Sequence, residues 1–225
     1  MIVKVCGLTE AKNIRQAEQC GADLLGFICY AGSPRFVPRA PAYLPRQARR
    51  IGVFVNAPLE YILRRAAELS LHGVQLHGSE PPALCQALRR EGLTIIKAFA
   101  PRQAADLTAA EAYADACHYF LFDTPCPQHG GSGRTFDWTL LRHYRGDVPF
   151  LLSGGLRPDS LNALRAFSHP RWAGIDLNSG FETRPGVKDI GALAGFINAI
   201  KAPPQPSPVG REPGTNDKTT PCPNA

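Results

Sequence analysis

The sequence predicts a single (β/α)8 barrel of the TIM-barrel type, in which eight parallel strands close into a ring and helices cover its outside. Eight short apolar runs alternate with amphipathic helical stretches, and the runs are apolar on both faces, as strands of a fully covered parallel sheet are. A chain of 225 residues with 44% hydrophobic residues has a length that suits one such domain. A doubly wound open sheet is the competing architecture, but the first turn, Cys6–Thr9, lacks the glycine-rich pattern typical of it.

Each strand and helix follows from this alternation of short apolar runs and longer stretches with helical periodicity. The predicted strands are Ile2–Cys6, Asp23–Ile28, Gly52–Val55, Gly73–Leu76, Thr94–Ala98, Tyr119–Phe122, Phe150–Leu152 and Gly174–Leu177. The predicted helices are Ala11–Cys20, Leu59–Ser70, Pro81–Arg90, Arg102–Ala114, Trp138–Tyr144, Pro158–Phe167 and Val187–Ala199. Pro38, Pro41 and Pro45 would break a long helix after the second strand, so only a short helix of about two turns, at Pro45–Arg50, is expected there.

The C-terminal segment differs in composition from the rest of the chain. Residues 202–225 contain seven prolines, one sizeable aliphatic residue (Val209) and no aromatic residue. Such a segment cannot bury enough apolar surface to offset the entropy of ordering it. We therefore expect a catalytic barrel at residues 1–201, followed by a disordered tail at 202–225.

Composition argues against several classes of protein. The formal net charge is +6, but the paired arginines at 49–50, 64–65 and 89–90 each lie near the end of a predicted helix, where cations complement the helix dipole, so nucleic acid is not an expected partner. No apolar run reaches the ~20 residues of a membrane-spanning helix, and the first residues do not resemble a secretion signal. The seven cysteines form no CxxC pair, which predicts neither a zinc site nor a disulfide framework. We expect a cytoplasmic enzyme with reduced thiols.

Polar residues stand where the apolar strands end, and in a (β/α)8 barrel the active site lies at those carboxyl ends. Cys6 ends the first strand and Asp123 follows the sixth, so the two can face each other across the mouth of the barrel. A thiolate and a carboxylic acid so placed form a general base and a general acid. The alternatives are an inert buried thiol for Cys6 and a loop-capping carboxylate for Asp123.

Two glycine-containing loops follow the seventh and eighth strands. Gly154 and Gly155 lie in the first loop, and Ser179 and Gly180 lie in the second, shortly after Asp176. Backbone N–H groups in such loops bind phosphate, and these two loops often form a phosphate site in this fold. The alternative is that both are turns that only reverse the chain.

Motifs along the whole barrel resemble those of the phosphoribosylanthranilate isomerase family of tryptophan biosynthesis. They are KVCGLT (4–9), GADLLGFICYAGSPRFV (21–37), GVFVN (52–56), GVQLHGSE (73–80), IIKAF (95–99), LFDT (121–124), GGSGRTFDW (130–138), LSGGL (152–156) and GIDLNSGFETRPGVKD (174–189). The resemblance leaves only the tail unmatched.

The resemblance implies a single-domain barrel that needs no cofactor or metal. We expect a monomer or a homodimer. Its substrate would be a small phosphoribosyl compound, N-(5′-phosphoribosyl)anthranilate, which undergoes an Amadori rearrangement. By motif, Cys6 is implied to be the general base and Asp123 the general acid, and Arg35 is implied to bind the anthranilate carboxylate. The implied substrate-binding residues further include the phosphate-loop residues Gly154, Gly155, Ser179 and Gly180, together with Asp176.

Other functions are also compatible with a phosphate-binding barrel: a sugar-phosphate epimerase, an isomerase that acts on a different phosphoribosyl substrate, and a non-catalytic ligand-binding barrel. A sugar-phosphate epimerase would usually bring several metal-binding histidines to the strand ends, whereas only His77 lies at one here, so we expect His77 to form structural hydrogen bonds. A non-catalytic barrel that retained the phosphate site would need neither Cys6 nor Asp123.

Overall fold

The computed structural model describes residues 1–123 and 138–203, and within them eight parallel strands form a closed barrel in chain order. The strands are β1 (Ile2–Cys6), β2 (Leu24–Ile28), β3 (Arg49–Phe54), β4 (Gly73–Leu76), β5 (Thr94–Phe99), β6 (Tyr119–Phe122), β7 (Phe150–Leu152) and β8 (Trp172–Leu177). Strand β1 pairs with β2 on one side and with β8 on the other, which closes the ring. The predicted fold class is confirmed.

The two faces of each strand belong to two different apolar layers. Val3 and Val5 of β1 pack in the large cluster between the barrel and its helices, whereas Ile2 packs against a smaller cluster inside the barrel. Because side chains alternate along a strand, Lys4 and Cys6 share the inner face with Ile2. Polar groups therefore follow Ile2 along this inner face toward the mouth of the barrel.

Within the described residues, five α-helices and several 3₁₀ helices cover the outside of the barrel. The α-helices are α1 (Ala11–Gln19), α2 (Leu59–Glu68), α3 (Pro82–Arg90), α4 (Leu161–Ala166) and α5 (Ile190–Lys201). The predicted helices at Arg102–Ala114 and Trp138–Tyr144 are instead 3₁₀ helices at Ala104–Tyr113 and Trp138–His143. In the first of these, the Thr108 hydroxyl donates to the carbonyl of Ala105, three residues back, and so competes with regular helical hydrogen bonds.

The helix expected at Pro45–Arg50 is wrong. The segment is irregular up to Arg49, where β3 begins, so the arginine pair at 49–50 lies in a strand. The carboxylate of Glu18 in α1 accepts the N–H groups of Arg46, Gln47 and Ala48 at 2.6–2.9 Å, and the Tyr43 hydroxyl also donates to it. A buried acid 28 to 30 residues away thus satisfies backbone donors that a helix would have used.

The helix expected at Val187–Ala199 begins three residues later than predicted. Val187–Lys188 (β10) pairs antiparallel with Glu182–Arg184 (β9) to form a two-stranded ribbon after β8. Asp189 then caps α5, because its carboxylate accepts the N–H of Ala192 at 3.0 Å. The first two residues of the predicted helix therefore form strand β10, and the helix itself begins after the cap at Asp189.

Two of the predicted segments lie outside the described residues. These are the disordered tail, apart from its first two residues, and most of the GGSGRTFDW motif after β6. Within 1–123 and 138–203, no helix has both the length and the apolar character needed to cross a bilayer.

Candidate active site

All eight candidate residues line one cavity at the carboxyl ends of the strands. Its volume, including the open mouth, is about 780 Å³. The predicted residues in its wall are Cys6, Arg35, Asp123, Gly154, Gly155, Asp176, Ser179 and Gly180. Residues that were separated by up to 174 positions in sequence are thus brought to one end of the barrel.

Cys6 is the last residue of β1, and its thiol is buried in the cavity wall. Its neighbour on β2 is Gly26, where a Cβ atom would lie only 2.7 Å from the Cys6 Sγ atom. Glycine is therefore needed at this position to leave room for the thiol. Burial raises the pKa of the Cys6 thiol, while the ammonium group of Lys4 acts in the opposite direction.

Lys4 and Asp176 form an ion pair beneath the cavity that the sequence analysis did not predict. The Lys4 Nζ atom lies 2.9 Å from Oδ2 of Asp176, and both side chains are buried. Burial raises the pKa of the Asp176 carboxyl against the pull of Lys4. The other carboxylate oxygen, Oδ1, is buried and has no hydrogen-bond partner among the described residues. Asp176 itself lines the cavity. Asp176 therefore keeps one acceptor oxygen that no described residue uses.

Asp123 directly follows β6, and its backbone N–H donates to the carbonyl of Phe99 at 2.9 Å. Its side chain is 21% exposed and faces the cavity, with Oδ2 3.4 Å from Nε2 of His77. The Gln75 amide lies 2.7 Å from the other ring nitrogen, Nδ1. When that amide donates to Nδ1, neutral His77 carries its proton on Nε2, toward Asp123. His77 thus contacts Gln75 on one side and the candidate acid Asp123 on the other. The expected hydrogen bonding of His77 therefore includes a residue of the candidate site.

The loops after β7 and β8 lie against each other. Gly154 and Gly155 have φ angles of +86° and +71°, which turn the chain sharply at the end of β7. Within the described ranges, no hydrogen-bond acceptor is found for either N–H group. A Cβ atom on Gly180 would lie 2.0 Å from the carbonyl oxygen of Leu156, so the second loop packs directly on the first. Their N–H groups can converge on one anion.

Arg35 reaches the cavity from the connection after β2, but its guanidinium already has a partner. Nε lies 2.9 and 3.1 Å from the two oxygens of Glu182, and Nη2 lies 2.6 Å from Oε2. Glu182 begins the ribbon after β8, 147 residues away in sequence. We did not predict Glu182 or its other partner, Lys188, although both lie within the motif at 174–189.

Lys97 lies within β5, two residues before the strand ends at Phe99, and is not part of the cavity wall. Its Nζ atom donates to the carbonyls of Leu76, Gly78 and Ala98 at 2.7–3.2 Å and lies 3.3 Å from Glu80. These contacts give it a structural role.

No group of three or more metal-binding side chains occurs in the part of the chain that the structure describes.

Comparisons with known proteins identify relatives over the whole barrel. A family model described as N-(5′-phosphoribosyl)anthranilate (PRA) isomerase matches residues 3–199. The N-(5′-phosphoribosyl)anthranilate isomerase of Phocaeicola vulgatus is 56% identical over 201 residues, which are 89% of this chain and 98% of the relative.

Solved structures with this name have the same fold. Phosphoribosyl anthranilate isomerase from Thermus thermophilus superposes with a TM-score of 0.78 and 32% identity, over 89% of this chain and 98% of that one. A second isomerase, solved in complex with reduced 1-(o-carboxyphenylamino)-1-deoxyribulose 5-phosphate, gives a TM-score of 0.74 and 32% identity, over 89% and 99% of the two chains. The resemblance in the motifs is confirmed: the chain belongs to the N-(5′-phosphoribosyl)anthranilate isomerase family and is an isomerase of tryptophan biosynthesis.

Proposed function

We propose that the chain converts N-(5′-phosphoribosyl)anthranilate into 1-(o-carboxyphenylamino)-1-deoxyribulose 5-phosphate, with Cys6 as general base and Asp123 as general acid. The order of strands around the barrel supports this most strongly. Cys6 ends β1 and Asp123 directly follows β6, and β7 and β8 lie between these two strands in the barrel. A substrate held by its phosphate in the β7 and β8 loops would have its ribose between the acid and the base.

The acid begins the reaction. Asp123 would protonate the ring oxygen of the ribose, the C1′–O bond breaks, and the anthranilate nitrogen stabilises the resulting cation as an iminium ion. A carboxylic acid within reach of the cavity can donate this proton. The Nε2–H group of His77, 3.4 Å from the Asp123 carboxyl, would then stabilise the carboxylate that remains.

The base completes the rearrangement. The iminium ion makes the proton on C2′ acidic, and the Cys6 thiolate would remove it to form an enol, which becomes the ketone. Burial favours the neutral thiol, whereas Lys4 favours the thiolate. The same ammonium group also binds Asp176, so one cation serves two groups of the cavity wall.

The substrate carries a second anion, the anthranilate carboxylate, and we assign its recognition to Arg35. A guanidinium presents donors in a fork that matches a carboxylate. Arg35 belongs to the cavity wall, where it contacts the segment that follows β8, and its side chain is only 11% exposed, so water competes little for its donors. Asp176 Oδ1 would accept a hydroxyl of the ribose.

Two further features of the proposal concern the setting of the enzyme. Five cysteines in the described residues are free thiols, which fits a reducing compartment, and we place the enzyme in the cytoplasm. All eight candidate residues line the cavity of one chain, and we propose that the active form is a monomer or a homodimer.

The direct test is turnover by the purified full-length protein. Phosphoribosylanthranilate should disappear with a loss of anthranilate-type fluorescence, at a rate proportional to the amount of enzyme. A rate no higher than that of a Cys6→Ala/Asp123→Asn double variant would refute the proposed activity.

A further inference from the structure

The contact between Arg35 and Glu182 uses only one edge of the guanidinium. The carboxylate accepts from Nε and Nη2, which form the side edge of the fork. Among the described residues, nothing accepts from Nη1. The end edge, formed by Nη1 and Nη2, is therefore available for a second carboxylate, and Arg35 is part of the cavity wall.

Glu182 is itself held from the other side. Lys188 Nζ lies 2.7 Å from Oε1, and the N–H of Gly186 donates to the same oxygen at 3.2 Å. The side chains of Glu182 and Lys188 are 5% and 0% exposed. Burial alone would raise the pKa of Glu182, but the hydrogen bonds from Arg35 and the charge of Lys188 hold it below its ordinary value. Glu182 is therefore a fixed anion.

The charges along this chain of contacts leave Arg35 able to attract an anion. Glu182 lies between Arg35 and Lys188; burial lowers the pKa of Lys188 while Glu182 raises it, and with Lys188 protonated the three side chains carry a net positive charge. Lys188 also donates to Oδ1 of Asn178 at 2.8 Å, and Asn178 directly precedes the phosphate-loop residue Ser179. The ribbon of β9 and β10 thus connects the two parts of the cavity where the substrate's anions would bind.

We propose that Glu182 is a positioning residue for substrate recognition: it fixes the guanidinium of Arg35 so that its free edge meets the aromatic carboxylate of the substrate. This inference depends on the role assigned to Arg35 under the proposed function. Without Glu182, Arg35 would keep its charge but lose its orientation, and ordering it on binding would oppose affinity.

The test compares two product analogues in their binding to the full-length protein. One is reduced 1-(o-carboxyphenylamino)-1-deoxyribulose 5-phosphate, and the other is the same compound without the carboxylate. Glu182→Ala should weaken binding of the first roughly tenfold and of the second less than about twofold, since the lost group acts only on the charge-assisted contact. Glu182→Gln, which keeps one acceptor oxygen, should show a smaller loss with the same selectivity.

A matched control contacts the same ribbon. Glu10, which precedes α1, pairs with the β9 residue Arg184 at the surface, so Glu10→Ala removes a carboxylate that contacts the ribbon without touching Arg35. It should leave both binding constants unchanged. Thermal unfolding of each variant checks that it is folded. If Glu182→Ala does not fold, the same binding comparison is made with Glu182→Gln.

Equal weakening of both analogues by the Glu182 variants would overturn the proposal, because Glu182 would then only support the loop. The Arg35→Ala/Glu182→Ala variant gives a second criterion: Glu182→Ala should add nothing once Arg35 is gone, and additive losses would also overturn it. The single variant Arg35→Ala distinguishes a failure of the role assigned to Arg35 from a failure of the role assigned to Glu182. If it weakens both analogues equally, the role of Arg35 and the inference fail together, whereas a selective Arg35→Ala with an unselective Glu182→Ala refutes the inference alone.

Discussion

Lys4 and Asp176 form an ion pair inside the barrel, with 2.9 Å between Nζ and Oδ2 and both side chains buried. Lys4 lies two residues before Cys6 on the same face of β1, and Asp176 is its partner in the register between β1 and β8. Burial alone would lower the pKa of Lys4, but Asp176 and Cys6 hold it above its ordinary value. One buried cation, Lys4, therefore influences the pKa values of both the candidate base, Cys6, and the candidate substrate-binding residue, Asp176.

We expect Lys4→Met to change both stability and the pH profile. Removing one partner of a buried ion pair typically destabilises a protein by about 3–5 kcal/mol. Without the ammonium group the pKa of Cys6 rises further, so the acidic limb of kcat/KM against pH should move to higher pH. Urea unfolding and a pH profile measure the two effects.

The control is Lys4→Met/Asp176→Asn, which leaves no uncompensated charge and should recover much of the lost stability. An acidic limb at the wild-type pH in the folded single variant would show that Lys4 has no influence on Cys6.

Much of the barrel was predictable because strands and helices differ in their hydrophobic period. Four predicted strands, including Tyr119–Phe122, match the structure at both ends, and the others differ by one to three residues at an end. Two of the errors occur where a side-chain hydrogen bond competes with the preference that the apolar pattern indicates. Glu18 organises residues 46–48, and Asp189 caps a helix that the apolar pattern had extended back to Val187.

The candidate residues were predictable because they stand at strand ends or in loops, where chemistry-bearing side chains interrupt apolar runs. Their partners were not. Glu182 meets Arg35 across 147 residues, and Asp176 meets Lys4 across 172, so no local pattern indicates either pair.

Glu18→Gln tests the irregular connection between β2 and β3. Glu18 has a pKa below its ordinary value because hydrogen bonds from Tyr43 and the backbone outweigh the effect of burial. Hydrogen bonds to a charged group contribute about 1.5–3 kcal/mol, so a loss within this range is expected at pH 7, with kcat/KM unchanged.

The pH dependence of that loss has a definite sign. The folded protein binds fewer protons at Glu18 than the unfolded chain, so the stabilisation is present above the ordinary pKa of 4.5 and is lost as the pH falls through the lowered value. The difference in unfolding free energy between the wild type and Glu18→Gln should therefore shrink in acid. A difference that stays constant down to pH 3 would contradict the role given to this carboxylate.

Arg35→Ala should lower kcat/KM by roughly 10–100-fold, because a buried charge-assisted contact contributes ~1.5–3 kcal/mol. Steady-state kinetics with phosphoribosylanthranilate measure the loss, and Arg39→Ala, which changes an exposed arginine on the same connection, is the control. Wild-type kinetics in Arg35→Ala would mean that Arg35 serves only to pair with Glu182.

Truncation after Ala202 should leave the melting temperature and kcat/KM unchanged, because the composition of residues 203–225 cannot support a core. Thermal unfolding of the full-length and shortened chains makes the comparison. A melting temperature lowered by several degrees would show that this segment stabilises the barrel.

The central claim is that Cys6 and Asp123 transfer the protons, and the decisive measurement is kcat of Cys6→Ala and of Asp123→Asn with phosphoribosylanthranilate. Each variant should lose ~10²–10⁴-fold in kcat and remain folded, since acid and base groups contribute that much. Cys29→Ala, which removes an equally buried thiol from the outer core, should stay close to the wild type. A Cys6→Ala or Asp123→Asn enzyme with kcat near that of Cys29→Ala would contradict the account.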